Sequence, residues 1–384
     1  MLLKKLKLTN YRNYGDLNLD FSQMKVIIVG QNAQGKSNIL EAINLLATSE
    51  SDKAEKDSDL IKWNESYALA YALVDTKEGS NEIILQINPN GRRRLKVNNV
   101  FKKSPQADLL GNLFAVMFSC EDLYLIKGSP SYRRKWLDSV LYQLDLSYHK
   151  LLQKYQKNIS QKNALLKRAI EIGMSKKELK EQVSLWNEQI VEFGSEIIFK
   201  RLNFFREIRP IASKFLFDIS RKVEELELVY KDTINSELRP QSPDQGEIKE
   251  AFSKSINNSF EAEFARSQSL IGPHRDDVSF LINQKEAKSF ASQGQQRSIV
   301  LSVKLAEINI FEKLKNEIPI LLLDDVFAEL DENRQDFLLH NLPESIQIFL
   351  TTTHISAVQK DFLKGAHILE INAGGILQGT ASTL

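Results

Sequence analysis

A single cysteine, Cys120, occurs among 384 residues. No internal disulfide and no cysteine-rich metal site can form, which fits a reducing compartment. The five histidines show no zinc-ligand spacing either. No apolar run reaches the roughly 18 residues a membrane-spanning helix requires, and the opening residues 1–16 lack a signal-peptide hydrophobic segment. Charge of one sign is not in excess: 51 Lys+Arg against 50 Asp+Glu leave +1. Any affinity for a polyanion must therefore come from local patches. With 16 Gly and 9 Pro, 42% hydrophobic and 26% charged residues, the chain is neither collagen-like nor disordered. It shows no internal repeat. The length suits a soluble intracellular protein of two to three structural units.

What is present divides by period. Leu6 and Leu8 alternate with lysines, and Leu17, Leu19 and Phe21 repeat that pattern, which predicts strands. Lys25–Val29 reads as a buried strand ended by Gly30. Asn38–Leu46 then has the apolar spacing of a helix packed on a sheet. Residues 49–62 are polar and charged, as expected of a surface loop. Tyr67 to Asn99 looks like antiparallel strands, with Asn90-Gly91 as a hairpin turn. Near Trp136 the period changes to helical: Leu144, Tyr148, Leu151 and Tyr155, then Val183, Trp186, Ile190, Phe193 and Ile197. These stretches predict an antiparallel helical pair, a short coiled-coil arm reaching to about residue 205. Residues 127–180 hold 13 Lys+Arg and four Asp+Glu, a local net of +9. The stretch around 231–249 reads as a loop, and strand–helix character returns from Asp277.

Gly30-Gln31-Asn32-Ala33-Gln34-Gly35-Lys36-Ser37 matches the spacing G-x-x-x-x-G-K-[ST], with a strand before it and a helix after it. Such a turn aims backbone N–H groups at phosphate oxygens. The helix N-terminus adds a favourable field, the lysine reaches the outer phosphates, and the serine hydroxyl can ligate Mg²⁺. The apolar strand Ile320–Leu323 delivers Asp324 to a sheet edge, a natural place for a second magnesium contact, though the Asp324-Asp325 pair also suits a helix cap. Asp325 is the candidate water-polarising base. Ser292–Gln296 fits two readings, a phosphate-holding helix start or a simple cap. His354, after three threonines, fits a catalytic or a structural role.

Taken together these residues resemble the RecF family of bacterial recombination-repair ATPases, related to the SMC proteins and to ABC transporter subunits. The resemblance spans essentially the whole chain. It rests on the phosphate loop, CEDLYLIKGSPSYRRKWLD at 120–138, IGPHRDD at 271–277, SQGQQRS at 292–298, LLLDDVFAELD at 321–331 and TTTH at 351–354. It implies an α/β fold: an ABC-type P-loop ATPase head with antiparallel N-terminal strands and an inserted helical lobe bearing the short arm. The expected layout is 1–125 and 261–384 as the two parts of the head, with 126–260 as the lobe.

The resemblance also implies roles. Lys36 and Ser37 are similar to the Walker A lysine and magnesium ligand, and Asp324 to the Walker B aspartate. Ser292, Gly294 and Gln295 resemble the signature motif, Asp331 belongs to a D-loop, His354 is similar to the switch histidine, and Arg12 to a basic residue beside the nucleotide. Asp325 occupies the position of the usual catalytic glutamate, which leaves the hydrolysis rate more open than binding. ATP and Mg²⁺ are the implied ligands. An ATP-dependent homodimer would act as a clamp on single-stranded, duplex or gapped DNA without strong sequence preference. It would work with RecR, and functionally with RecO and RecA, in repair, replication and the SOS response, in the cytoplasm and at the nucleoid, with no membrane partner. Arg92, Arg93, Arg94 and Lys96, with Arg133 and Arg134, are the candidate DNA contacts; an ordinary solvated face is the alternative for each cluster. Two further readings stand beside this one: a transporter-type ATPase subunit, and an ATP-binding interaction protein with negligible turnover.

Overall fold

A computed structural model describes residues 1–234, 244–372 and 375–377, so part of the expected 231–249 loop, residues 235–243, lies outside the described residues. Two compact units emerge: Met1–Leu123 with Arg297–Leu384, and Tyr124–Gln296.

In the first unit the period-two segments pair as expected. Strand Leu2–Tyr11 lies between Tyr14–Asp20 and Ala68–Thr76, and Gly79–Ile87, Arg93–Val97 and Val100–Phe101 extend a six-stranded antiparallel sheet. The second sheet runs in the order Gly375–Leu377, His367–Asn372, Lys25–Val29, Ile348–Thr352, Ile320–Asp324, Ala115–Ser119, parallel except for its first strand. Register places Asp324 opposite Thr351 and Ser119, and Thr352 opposite Val29, so the residues that enter the glycine turn, the acidic pair and the threonine run share one carboxyl-end edge.

Helix Lys36–Thr48 packs on a sheet as its apolar spacing predicts, and a second sheet covers its other side. Every residue from Ile39 to Thr48 is buried. Ile39, Ile43 and Leu46 share a core with Leu6 and Ile83 of the antiparallel sheet and with Val26, Leu322 and Phe349 of the parallel one. A helix covered on both sides needs apolar groups all round, and its polar exceptions Glu41 and Asn44 are hydrogen-bonded.

The second unit contains the helical pair as Leu146–Glu171 and Lys176–Ile219. Gly173, at φ 65°, makes the turn in the left-handed region that other residues avoid. Ser175 and Glu178 form a capping box that starts the second helix. That helix continues past the expected end near 205, through Pro210, for 44 residues or about 66 Å. Its continuation is explained by packing: Ile208, Ala212 and Leu216, spaced four apart, are buried beyond the ring contacts of Phe204 and Phe205 with Trp136.

The expected boundary at 260/261 differs from the observed one at 296/297. Strand Asp277–Ile282 pairs antiparallel with Leu226–Lys231, from Asp277 opposite Lys231 to Ile282 opposite Leu226, so the segment is tied to the inserted unit. No described helix is long and apolar enough to cross a membrane.

Candidate nucleotide site

The turn between strand Lys25–Val29 and helix Lys36–Thr48 is held from outside by residues that the sequence reading passed over. Asn13 donates to the Gln34 carbonyl (3.0 Å) and accepts from Asn38 (2.8 Å), while the Tyr14 hydroxyl donates to the Gly35 carbonyl (3.1 Å). Gly35 sits at φ 107°, and a Cβ there would stand 2.5 Å from Asn13 Nδ2 and 2.8 Å from the Tyr14 hydroxyl. Glycine is therefore required both by conformation and by crowding. Ala33 is also left-handed, at φ 64°. Gly30, Gln31 and Asn32 lead into this turn. Lys36 is buried and donates to the Gln31 carbonyl (3.1 Å), folded along the inside of the loop.

Ser37 donates from Oγ to Asp324 Oδ1 at 2.7 Å, across 287 residues of sequence. The same oxygen accepts from Thr351 Oγ1 (2.9 Å), and Asp324 Oδ2 accepts from Lys53 Nζ (2.8 Å). The donor set is a serine hydroxyl and a carboxylate, hard oxygens of the kind magnesium prefers. Among the described residues no group of three or more His, Cys, Asp or Glu could hold a metal by itself. Asp325 has φ 54° and donates its N–H to Thr351 Oγ1 (2.9 Å). Burial raises its carboxyl pKa, Lys36 opposes the shift and Asp324 reinforces it. A carboxyl held up in this way is suited to taking a proton. Burial pushes the Cys120 thiol up to about 12, which disfavours the thiolate form.

Arg12 is placed differently from a free phosphate ligand. Its guanidinium is bidentate to Glu41 (2.8 and 2.5 Å) and donates to the Asp59 carbonyl (2.8 Å). Ser292 and Gln295 satisfy each other: Gln295 Oε1 accepts from the Ser292 N–H (2.8 Å), and Ser292 Oγ from the Gln295 N–H (3.2 Å). This caps helix Gln293–Lys315, which contains Gly294, so the capping reading is realised within the chain, with Ser292 exposed. Asp331 caps helix Glu332–His340 and pairs with Arg334. His354 is exposed, and its backbone is fixed by Thr352 Oγ1.

The basic residues separate. Arg92 and Arg94 are exposed, and Lys96 lies over the Phe101 ring. Arg93 does not join them. It is bidentate to Asp57 (2.9 and 2.6 Å) and donates to the Ser49 carbonyl, with its side chain 9% exposed. Arg133 is likewise buried, bidentate to Asp277 (2.7 and 2.9 Å) and bonded to the Gly128 carbonyl. Both are corrected from DNA contacts to internal braces, because their guanidinium forks are already matched by carboxylates. Arg134 is half-buried and donates to the Asp276 carbonyl.

Comparison with known proteins adds the lineage. Residues 2–368 match the RecF/RecN/SMC N-terminal domain family. The DNA replication and repair protein RecF of Picosynechococcus sp. is 39% identical over 97% of this chain and 96% of its own length. RecF of Nostoc punctiforme is 40% identical (98% and 99%), and that of Bacillus cytotoxicus 38% (98% and 98%). A solved structure of the recombination mediator protein RecF with ATP, in the RecFOR pathway, aligns at TM-score 0.88 and 35% identity, covering 99% of this chain and 97% of that one. The Smc head domain of Pyrococcus furiosus, with an extended coiled coil, aligns at TM-score 0.53 and 19% identity (98% and 95%), a likeness of fold alone.

Proposed function

Because the chain belongs to the RecF family and carries that family's ATPase head, we propose that it is an ATP-dependent DNA clamp of recombinational repair and replication-fork maintenance. The observation that carries the nucleotide half is the 2.7 Å bond from Ser37 to Asp324, which joins the phosphate loop to the acidic strand end. Lys36 would bind the outer phosphates, and Ser37 and Asp324 would hold magnesium. Bound there, magnesium supplies charge neutralisation at the transferring phosphoryl group. Asp325, with its raised pKa, orients the attacking water and takes its proton. His354 assists beside the terminal phosphate, and the turnover is slow.

The Ser292–Gln295 segment of one copy would close over the nucleotide held by a second copy, with Asp331 at the same junction. Its support is an exposed helix start, whose N–H groups and field favour phosphate. ATP would thus bridge a homodimer, and hydrolysis would open it. Arg12 would exchange Glu41 for the nucleotide. Arg92, Arg94 and Lys96 are proposed to position single-stranded, duplex or gapped DNA through its phosphates, without base reading. RecR, with RecO and RecA in functional association, completes the proposed cytoplasmic, nucleoid-associated role in RecA loading and the SOS response.

Sedimentation of the chain with ATP, ADP and short duplex DNA tests this reading. ATP should give a dimer, ADP a monomer, and Ser292→Arg should stay monomeric while still binding ATP. Wild type that is monomeric throughout, or dimerises equally with ADP, contradicts the clamp.

A further inference from the structure

Lys53 contacts Asp324, the residue proposed to hold the metal, and the nucleotide chemistry makes no use of that contact. Lys53 lies 271 residues before Asp324, in the charged stretch that sequence alone gives as a surface loop. Its ammonium stands 2.8 Å from Asp324 Oδ2, with its side chain 33% exposed and the carboxylate 6% exposed.

The backbone around Lys53 is organised. Ser51 Oγ donates to Glu41 Oε1 (2.5 Å) and accepts from the Lys53 and Ala54 N–H groups (3.1 and 3.0 Å). Asp52 accepts from Asn44 (3.2 Å), and Thr48 Oγ1 accepts from the Glu50 N–H (3.2 Å). Arg93 donates to the Ser49 carbonyl (2.6 Å). The loop is therefore pinned to the buried polar residues of helix Lys36–Thr48, and it delivers Lys53 to one carboxylate.

Asp324 Oδ1 is shared by the Ser37 and Thr351 hydroxyls, and Oδ2 is taken by Lys53. A magnesium ion ligated by Ser37 must stand beside this carboxylate. A divalent ion and an ammonium at one small carboxylate repel each other strongly where water is partly excluded. Lysine is a compact charge on a flexible four-carbon stem, so its head can swing into solvent without unfolding the loop.

We propose that Lys53 is an internal competitor of magnesium at Asp324: its ammonium neutralises the buried acid, and magnesium entering with the nucleotide displaces it. Lys53 thereby sets how much magnesium the site demands. Glu41 links the device to Arg12, since the same carboxylate group holds both the Arg12 guanidinium and the Ser51 hydroxyl. The inference rests on the magnesium–ATP reading of the site, and the test separates the two.

Amine-reactive footprinting with mass spectrometry on the full wild-type chain reads Lys53 directly. Its labelling should rise about fivefold or more when ATP with chelator is replaced by ATP with magnesium, the scale of a moderate site–site coupling. In parallel, ATP binding is titrated against magnesium in wild type, Lys53→Met and Lys53→Arg. Lys53→Met should lower the half-saturating magnesium concentration by about fivefold or more, while Lys53→Arg, which keeps the charge, stays within about twofold of wild type. Unchanged labelling of Lys53, or a Lys53→Met half-saturation equal to or above wild type, overturns the competitor role and leaves the nucleotide site standing. Absence of ATP binding by wild type at any magnesium concentration overturns both.

Discussion

The two units both gather charged residues from segments far apart in sequence, and they treat those charges in opposite ways. In the inserted unit Arg201 is buried, with its side chain 1% exposed. It donates to the Tyr148 and Tyr230 hydroxyls, the Pro273 carbonyl and Asp138. Asp276, fully buried, accepts from Tyr230 and from Thr233. Asp138 comes from the 120–138 segment and Pro273 and Asp276 from 271–277, so two stretches far apart in sequence converge on a closed network. In the first unit the groups around Asp324 are bonded too, but by contacts that a ligand can replace: a lysine head on a carbonyl, a serine on a carboxylate, an ammonium at the rim. A closed network specifies a structure, whereas exchangeable contacts prepare a site. The same residue types serve both ends; Lys36 and Asp324 are buried as Arg201 is, and what separates the two is whether the partner can be exchanged for a ligand.

The largest expected effect breaks the closed network. Arg201→Met should destabilise the inserted unit by about 3–5 kcal/mol, because Asp138 and Asp276 lose their buried cation. Urea unfolding is the measurement, and an unchanged midpoint would reassign the network to a minor role. A smaller effect comes from pH. His274 is packed against Tyr155, with the Tyr155 hydroxyl 2.6 Å from Nδ1, and burial lowers its pKa to about 4 from 6.5. The unfolded chain then takes up the proton first as pH falls. The associated stability is complete above about 6.5 and is lost progressively down to about 4, amounting to about 3 kcal/mol at most. Thermal melts at pH 7 and pH 5 should converge in His274→Gln relative to wild type; equal acid sensitivity in both would remove His274 as a cause.

The smallest effect sharpens the division among the arginines. Arg92→Ala with Arg94→Ala should leave stability unchanged and reduce the salt dependence of DNA binding by about one unit of slope per true phosphate contact. Arg93→Ala should do the reverse, costing about 1–3 kcal/mol by leaving Asp57 unmatched, with the salt slope intact. Identical salt slopes in the double variant and wild type would return Arg92 and Arg94 to an ordinary solvated face.

Much of the first unit is legible in sequence because its signals are local. The strand periods, the glycine turn and the apolar strand ending in Asp324-Asp325 each fit within a dozen residues, and the structure brings Ser37 to Asp324 as that chemistry requires. What escapes is partnership over long range. Arg92, Arg93 and Arg94 are indistinguishable as letters, and only the fold puts Asp57 beside the middle one. Lys53 sits in a run whose composition reads as solvated loop, and no local pattern points to an acid 271 residues away. Asn13 and Tyr14 brace the phosphate loop from the end of a different strand. The lobe boundary at 296 was hidden for the same reason, since Asp277–Ile282 has strand character but its partner at 226–231 cannot be read from period alone.

Calorimetric titration of ATP with magnesium into wild type and Lys36→Ala decides whether Gly30–Ser37 with Asp324 forms a nucleotide site. Wild type should bind saturably and the variant should lose at least about tenfold in affinity, the worth of one charge-assisted phosphate contact, with the thermal melt unchanged. Equal ATP affinity in a folded Lys36→Ala chain would contradict that site.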